Sequence, residues 1–216
     1  MKIISIRNGF QCDHSSSNYE FFSSERALTE NERSSVAKYS RRSQPGTRKA
    51  TFQYNGDWND LPSGAEDDLL TNYFDILVSE SYDSWHFAIA FDYDNQLLKN
   101  LKKYECEGPD DAGLVIERKN TRIILHLHCQ IRDADFSSRP FATGIAEEED
   151  DESEVEVDFK NFRNLLITLK REIGKGTFSS LSAVVNFYEP GKVSGAEPYT
   201  KVGETLRSVL SGPEDD

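Results

Sequence analysis

His126 and His128 are the residues whose type and spacing are best suited to chemistry. They stand two positions apart in the run 121–131, whose apolar residues alternate as in a β-strand. Side chains two apart on a strand leave the same face, so both imidazoles would be available to one metal ion. Zinc and other transition metals take three or four ligands, so neighbouring strands would have to supply the rest. The candidates for a third ligand are His86, Asp133 and Asp135.

The same pair has a simpler interpretation. Histidines on a half-exposed sheet face are commonly polar surface residues that form hydrogen bonds with their neighbours. The sequence therefore leaves open both a metal-dependent hydrolase that uses His126 and His128 and a structural pair without chemistry.

Other catalytic patterns fail on spacing. Pro109-Asp110 followed by Glu117-Arg118-Lys119 imitates a metal-dependent nuclease signature, but seven residues of extended chain separate Asp110 from Glu117 by roughly 23 Å. The string Gly174-Lys175-Gly176-Thr177 follows a predicted helix, whereas a phosphate-binding loop must follow a strand. No serine stands in a Gly-x-Ser-x-Gly turn. We therefore assign no catalytic residue from the sequence and expect no cofactor.

An acidic run from Glu147 to Asp158 is the first candidate surface for a partner. It carries nine acidic residues and no basic one, in a chain of net charge −13. Like charges in a block repel each other and resist packing, which favours a solvated linker. The alternative is a docking segment for a basic partner surface. Its contact residues would be Glu147, Glu148, Glu149, Asp150, Asp151 and Glu152.

The loop 54–60 is the second candidate surface. Trp58 offers a large contact area at little entropic cost, and Asp57 and Asp60 beside it would orient a polar group of a ligand. Alternatively Trp58 covers the core and Asn55-Gly56 makes a turn.

Six basic residues between Arg33 and Lys49 form a third candidate, a nucleic-acid contact, although a solvated helix end and loop explain them equally well.

Local patterns predict strands and helices in mixed order. Thr29-x-x-Glu32 and Ser63-x-x-Glu66 each fit a capping box, and the first predicts a helix to about Tyr39. Apolar residues alternate over 85–91, while 113–118 and 121–131 resemble the two strands of a hairpin. Helical spacing returns at 159–173 and 178–188.

These elements predict an α+β protein with a mixed or antiparallel sheet, packed helices and a C-terminal helical segment. We divide the chain into a main domain over 1–140 and an acidic linker over 141–158, which we expect to be disordered. A helical segment over 159–210 should pack on the main domain, and a tail follows over 211–216.

Composition limits where the protein works. Its three cysteines, Cys12, Cys106 and Cys129, are far apart in a chain of 216 residues, which fits reduced thiols in a cytoplasm. No run approaches the roughly 18 apolar residues of a membrane span, and 1–10 lacks the apolar stretch of a signal peptide. We expect a cytoplasmic protein that does not contact a membrane.

Short motifs between residues 19 and 85 carry a resemblance to a known family. The motifs are Tyr19-x-Phe21, Arg26-x-Leu28-Thr29-x-x-Glu32, Ser40-Arg41, Tyr54, Gly56-Asp57, Leu69-Leu70-x-x-Tyr73-Phe74-Asp75 and Trp85. In these the chain resembles a family of uncharacterised bacterial proteins that are often encoded beside SWIM zinc-finger proteins. The resemblance is clear over 19–92 and fainter to about 171. Where the family tends to carry Trp-Gly-Thr-Arg-Arg, this chain has Ser84-Trp85-His86-Phe87, so any basic surface of the family is not expected here.

The resemblance implies a bacterial origin and a similar fold, and it assigns no reaction. We therefore expect a non-catalytic accessory or regulatory protein that binds another protein with a basic surface, in a bacterial multi-gene system such as a CRISPR-type defence system. Direct contact with nucleic acid is not expected. The alternatives are the metal-dependent hydrolase that uses His126 and His128 and a nucleic-acid-binding module that uses 33–49.

Overall fold

One antiparallel sheet of eight strands forms the centre of the protein. The structure is a computed structural model, and it describes residues 16–55, 61–81, 84–130, 142–143, 156–157, 159–193 and 198–211. The order of strands across the sheet is β2-β3-β1-β4-β5-β8-β7-β6. These strands are β1 (Ser16–Phe22), β2 (Gln44–Pro45), β3 (Lys49–Asn55), β4 (Ile76–Ser81), β5 (Ser84–Asp92), β6 (Cys106–Glu107), β7 (Gly113–Lys119) and β8 (Arg122–Gln130). The predicted α+β class with an antiparallel sheet is confirmed.

A second, two-stranded ladder pairs β9 (Ala142–Thr143) with β10 (Glu156–Val157). It flanks most of the acidic run, whose residues 144–155 lie outside the described ranges. The predicted disorder of 141–158 therefore stays a prediction.

Helices cover both faces of the main sheet. They are α1 (Glu30–Val36), α2 (Ala65–Asn72), α3 (Asn95–Leu101), α4 (Phe159–Gly174), α5 (Ser179–Tyr188) and α6 (Lys201–Ser211). One buried cluster joins α3, α4, α5 and α6 to one face, and a second cluster joins α1 and α2 to the other. The sheet thus lies between two helical layers, as a sheet with two apolar faces requires.

Strand β5 shows how the sequence pattern determines these layers. Trp85 and Phe87 belong to the cluster under α4, whereas Ala88 and Ala90 belong to the cluster under α2. Side chains alternate between the faces of a strand, so the predicted parity of 85–91 is confirmed. Cys129 on β8 shares the parity of the apolar residues of its strand; it lies in the first cluster and is 2% exposed.

The helix starts were predicted with mixed success. Thr29 and Glu32 form the expected capping box of α1, which ends at Val36 rather than near Tyr39. The capping box predicted at Ser63 is wrong, because the N-cap of α2 is Gly64 with φ 79° and without a side-chain cap. Strand β4 was not predicted, since five of its six residues are buried and a short buried run has no alternation to detect.

One buried and one partly buried ion pair attach α4 to the sheet. Lys170 Nζ lies 2.5 Å from Asp75 Oδ2, and the two side chains are 10% and 5% exposed. Arg163 lies 2.8 Å from Glu20 on β1. Asp75, which precedes β4, also accepts hydrogen bonds from the backbone N–H and the hydroxyl of Ser24. Helix α4 therefore packs on the main sheet through charge as well as through apolar area.

Among the described residues, no helix is long and apolar enough to cross a membrane.

Candidate metal centre

Three histidines meet on the face of the sheet that carries α2. His86 and His128 are direct partners in the register of β5 and β8, and His126 stands opposite Ala88 two residues away. Each histidine offers one ring nitrogen, and these three atoms lie within 4.8 Å of one another. The predicted pair His126 and His128 is therefore joined by His86, the first of the three proposed partners. Asp133 and Asp135 lie outside the described residues.

His86 is held in a fixed orientation by two contacts. Its Nδ1 lies 3.0 Å from Glu66 Oε2, and its Nε2 lies 3.0 Å from Nδ1 of His126. A carboxylate on the second nitrogen of a metal-binding histidine fixes its tautomer and raises its basicity. Two nitrogens bound 2.0–2.1 Å from a tetrahedral ion would stand ~3.3 Å apart. The spacing of His86 and His126 is thus close to what one ion requires.

The imidazole rings are stacked in this structure. The ring centroids of His86 and His128 are 4.3 Å apart with an angle of 13° between the planes. All three ring planes lie within 19° of one another. A metal ion lies in the plane of each imidazole that binds it, so ion binding would require a rotation about χ2, a torsion with a broad energy profile.

Burial favours the uncharged form of His126 and His128. Burial first, and then the electrostatic influence of His86, lower the pKa of His126 from 6.5 to about 4. The pKa of His128 is also lowered to about 4, by burial first and then by charge on His86 and His126. Both rings are therefore neutral at pH 7, which is the form that binds a metal ion.

An acidic wall adjoins the histidines. Asp67, Glu117 and one nitrogen of His126 form a second group whose ligand atoms lie within 4.8 Å of one another. Lys119 Nζ lies 2.9 Å from Asp67 Oδ2 and 2.7 Å from Glu117 Oε2, and hydrogen bonds to these two carboxylates raise the pKa of Lys119. These groups and the histidines line a cleft of about 350 Å³ that is open to solvent.

The elements leave this cleft open for identifiable reasons. Gly113 stands opposite His128 on β7, so no side chain fills the space beside that ring. Gly113 has φ 143°, and a Cβ there would clash with the carbonyl oxygen of Cys106. Val115 lies opposite His126 and is 41% exposed, an apolar group on the cleft floor. Glu66 and Asp67 enter from the first turn of α2, where the helix dipole favours acidic residues.

The stability of the metal-free protein is expected to fall as the pH is lowered from about 6.5 to about 4. Between these pH values the unfolded chain binds protons at His126 and His128 that the folded chain does not bind. The free energy of unfolding is therefore highest above pH 6.5 and falls as the pH is lowered towards 4. The two histidines titrate together, and the loss for the pair is on the order of a few kcal/mol. Denaturant unfolding in the presence of a chelator at several pH values measures it.

A His126→Gln variant provides the comparison for this pH dependence. It has no imidazole to titrate, so its free energy of unfolding should change less between pH 6.5 and 4 than that of the wild type. Equal pH slopes for the two proteins would show that His126 is not held neutral by the fold.

The two candidate surfaces for a protein partner are the loop 54–60 and the acidic run. Asp57, Trp58, Asp60 and the run Glu147 to Glu152 all lie outside the described residues, so both protein-docking hypotheses stay predictions.

In the basic segment several side chains have partners within the chain. Lys49 pairs with Glu20, Arg33 pairs with Glu30, and Arg48 donates to the carbonyl oxygens of Ser23 and Ser24. These contacts reduce the charge available for nucleic acid, and the nucleic-acid alternative is untested.

The acidic half of the centre was not predicted from the sequence. Glu117 and Lys119 belong to the string that was set aside because Asp110 is too far along the chain to share a metal. In the structure the acid that faces them is Asp67, from a helix some fifty residues earlier. The signal that marked them was the Glu-x-Lys spacing itself, which places both side chains on one face of a strand.

Comparisons with protein-family models, with curated proteins and with solved structures found no match for this chain. The resemblance to the family beside SWIM zinc-finger proteins therefore stays a prediction, and any functional conclusion depends on the chemistry of the cleft.

Proposed function

We propose that the protein is a metal-dependent hydrolase that binds a divalent transition-metal ion, zinc above all, through His86, His126 and His128. The observation that carries this proposal is the convergence of three ring nitrogens within 4.8 Å at the floor of an open cleft. Three protein ligands and an open fourth position are the arrangement of catalytic zinc sites, whereas structural sites have four protein ligands. Because His86 adds a third ligand to the predicted pair, we favour a metal-dependent hydrolase over the non-catalytic protein expected from the sequence.

The donor atoms fit zinc better than the harder cations. Imidazole nitrogen suits zinc, copper, iron and nickel, while calcium and magnesium prefer oxygen ligands. The neutral state of His126 and His128 at pH 7 means that few protons have to be displaced when the ion binds. Three carboxylates face one ammonium around the cleft, so the metal-free site carries negative charge that attracts a cation.

The residues around the histidines support hydrolytic chemistry. An ion bound there would supply a water molecule with a pKa near 7 as the nucleophile. Glu66 keeps the ring of His86 in one orientation through Nδ1. Glu117 stands near His126 at the cleft wall and is the carboxylate placed to accept a proton from water.

The test is a hydrolysis assay on protein stripped by a chelator and reloaded with zinc. A panel of aryl esters, aminoacyl amides and phosphate esters covers the three main substrate classes. We expect hydrolysis of at least one class that disappears on stripping, returns with zinc and is absent from a His128→Asn variant. The matched control is Val115→Ala, which alters the same cleft without removing a ligand and should keep zinc-dependent activity.

Two results would contradict the proposal. Activity that is indifferent to stripping and reloading would exclude a metal-dependent mechanism. Zinc-loaded protein that hydrolyses none of the three classes would show that the histidines, even if they bind an ion, do not serve hydrolysis.

A further inference from the structure

The second group of potential ligands already contains a cation. Asp67 and Glu117 each place a carboxylate oxygen within 3 Å of Lys119 Nζ, at 2.9 and 2.7 Å, and both oxygens lie near one nitrogen of His126. Two carboxylates and an imidazole are a common ligand set for a divalent ion. The position that such an ion would take is therefore shared with an ammonium group from the same chain.

His126 supplies an independent sign that this position is built for a ligand. The residue is 7% exposed, and its Nδ1 is engaged with His86. Its Nε2 is fully buried and has no hydrogen-bond partner among the residues that the structure describes. Buried polar atoms are nearly always satisfied, so this unpaired nitrogen, on the residue that also approaches the two carboxylates, calls for an explanation.

We propose that Lys119 is an internal cation that occupies a second metal position formed by Asp67, Glu117 and His126, and so restricts the centre to one ion. Because it concerns how many ions the centre holds, this inference rests on the proposed function for the first ion. The second position has two carboxylates of its own, Asp67 and Glu117, and shares His126 with the first. With both ions bound, His126 would bridge them as an imidazolate, and its ring proton would be released to solvent.

The geometry explains how a lysine can do this. Lys119 is the last residue of β7, and it pairs with Arg122 across the short turn that leads into β8. Its side chain and that of Glu117 leave the same face of the strand, two residues apart. Asp67 meets them from the first turn of α2. An ammonium is larger than a metal ion and donates hydrogen bonds instead of accepting lone pairs, so N–O distances of 2.7–2.9 Å are what it requires.

The arrangement has a consequence for the substrate. In a site with two ions the second ion contacts the substrate or the leaving group. Here the ammonium of Lys119 stands in that place, 38% exposed toward the cleft. It supplies one positive charge and hydrogen-bond donors where a second ion would supply two charges and a further activated water.

Zinc stoichiometry measured by equilibrium dialysis tests the inference. We expect one zinc per wild-type chain and two per chain for Lys119→Met, which keeps the length of the side chain and removes its charge. Lys119→Arg keeps the charge and should bind one. Lys102→Met removes an exposed lysine that pairs with Glu105 away from the cleft, and it should also bind one. Adding Glu117→Gln to Lys119→Met should return the count to one.

The zinc counts of the wild type and of Lys119→Met test the second position separately from the three-histidine centre. Equal counts for the wild type and Lys119→Met would overturn the inference, and so would an additional ion that persists after Glu117→Gln. A wild type that binds two would mean that zinc displaces Lys119, which also overturns it. No zinc in the wild type but one in Lys119→Met would support the second position while contradicting the three-histidine centre.

A second variant tests the same point while keeping Lys119 in the chain. Glu117→Gln in the wild-type background should leave one zinc bound, because this carboxylate is a ligand of the second position and not of the first ion. Loss of the bound zinc would show that Glu117 is a ligand of that ion, and the assignment of Lys119 would fail.

Discussion

Zinc is expected to raise the midpoint of thermal unfolding, Tm, of the wild-type chain by roughly 8–16 °C when free zinc exceeds the dissociation constant about a thousandfold. A ligand that binds only the folded state then stabilises it by about 4 kcal/mol. For a chain of this size each kcal/mol moves Tm by about 2–4 °C. Differential scanning calorimetry with and without zinc, after stripping with a chelator, measures the shift.

Variants that remove ligands, weaken a contact to a ligand, or leave the ligands intact show which residues bind the zinc that raises Tm. A His86→Asn, His128→Asn double variant removes two of the three ring nitrogens, so its Tm should be the same with and without zinc. Glu66→Gln leaves all three ligands in place and weakens the bond that orients His86, so its affinity should fall about 10–100-fold. Val115→Ala should keep the full shift. An equal rise in Tm for the double variant and the wild type would show that zinc binds elsewhere on the chain.

Asp75→Ala is expected to destabilise the protein by about 3–5 kcal/mol, because it leaves Lys170 buried beside an apolar side chain. Lys170 retains one partner, Glu25, at 2.7 Å, but that side chain is 66% exposed and offers weak compensation. The substitution also removes the acceptor of two hydrogen bonds from Ser24. Tm should fall by roughly 10 °C.

The matched variants show whether charge burial is the cause. A double variant, Asp75→Leu with Lys170→Met, replaces the buried pair by apolar groups and should recover most of the lost stability. Glu30→Ala breaks the exposed pair with Arg33 and should cost less than about 1 kcal/mol. If the double variant were as unstable as Asp75→Ala, the loss would come from the contacts of Asp75 with Ser24 and not from an unpaired lysine.

The parts of the fold that were predicted correctly are those that depend on neighbours along the chain. The capping box of α1 needs only Thr29 and Glu32, three residues apart. The face that each residue of β5 presents follows from alternation alone. Strand β4 was missed because its residues are buried on both faces, and α2 begins at a glycine whose backbone conformation, not its side chain, ends the preceding turn.

The sequence by itself determined that His126 and His128 share one face of a strand, because the period of a β-strand is two residues. Only the tertiary structure decided that His86 lies opposite His128, because that depends on the register between β5 and β8, about forty residues apart along the chain. The same holds for Glu66 and Asp67, which the packing of α2 on the sheet brings to His86 and Lys119. A local pattern specifies which way a side chain points, whereas the partners it meets there depend on strand pairing and helix packing over the whole chain.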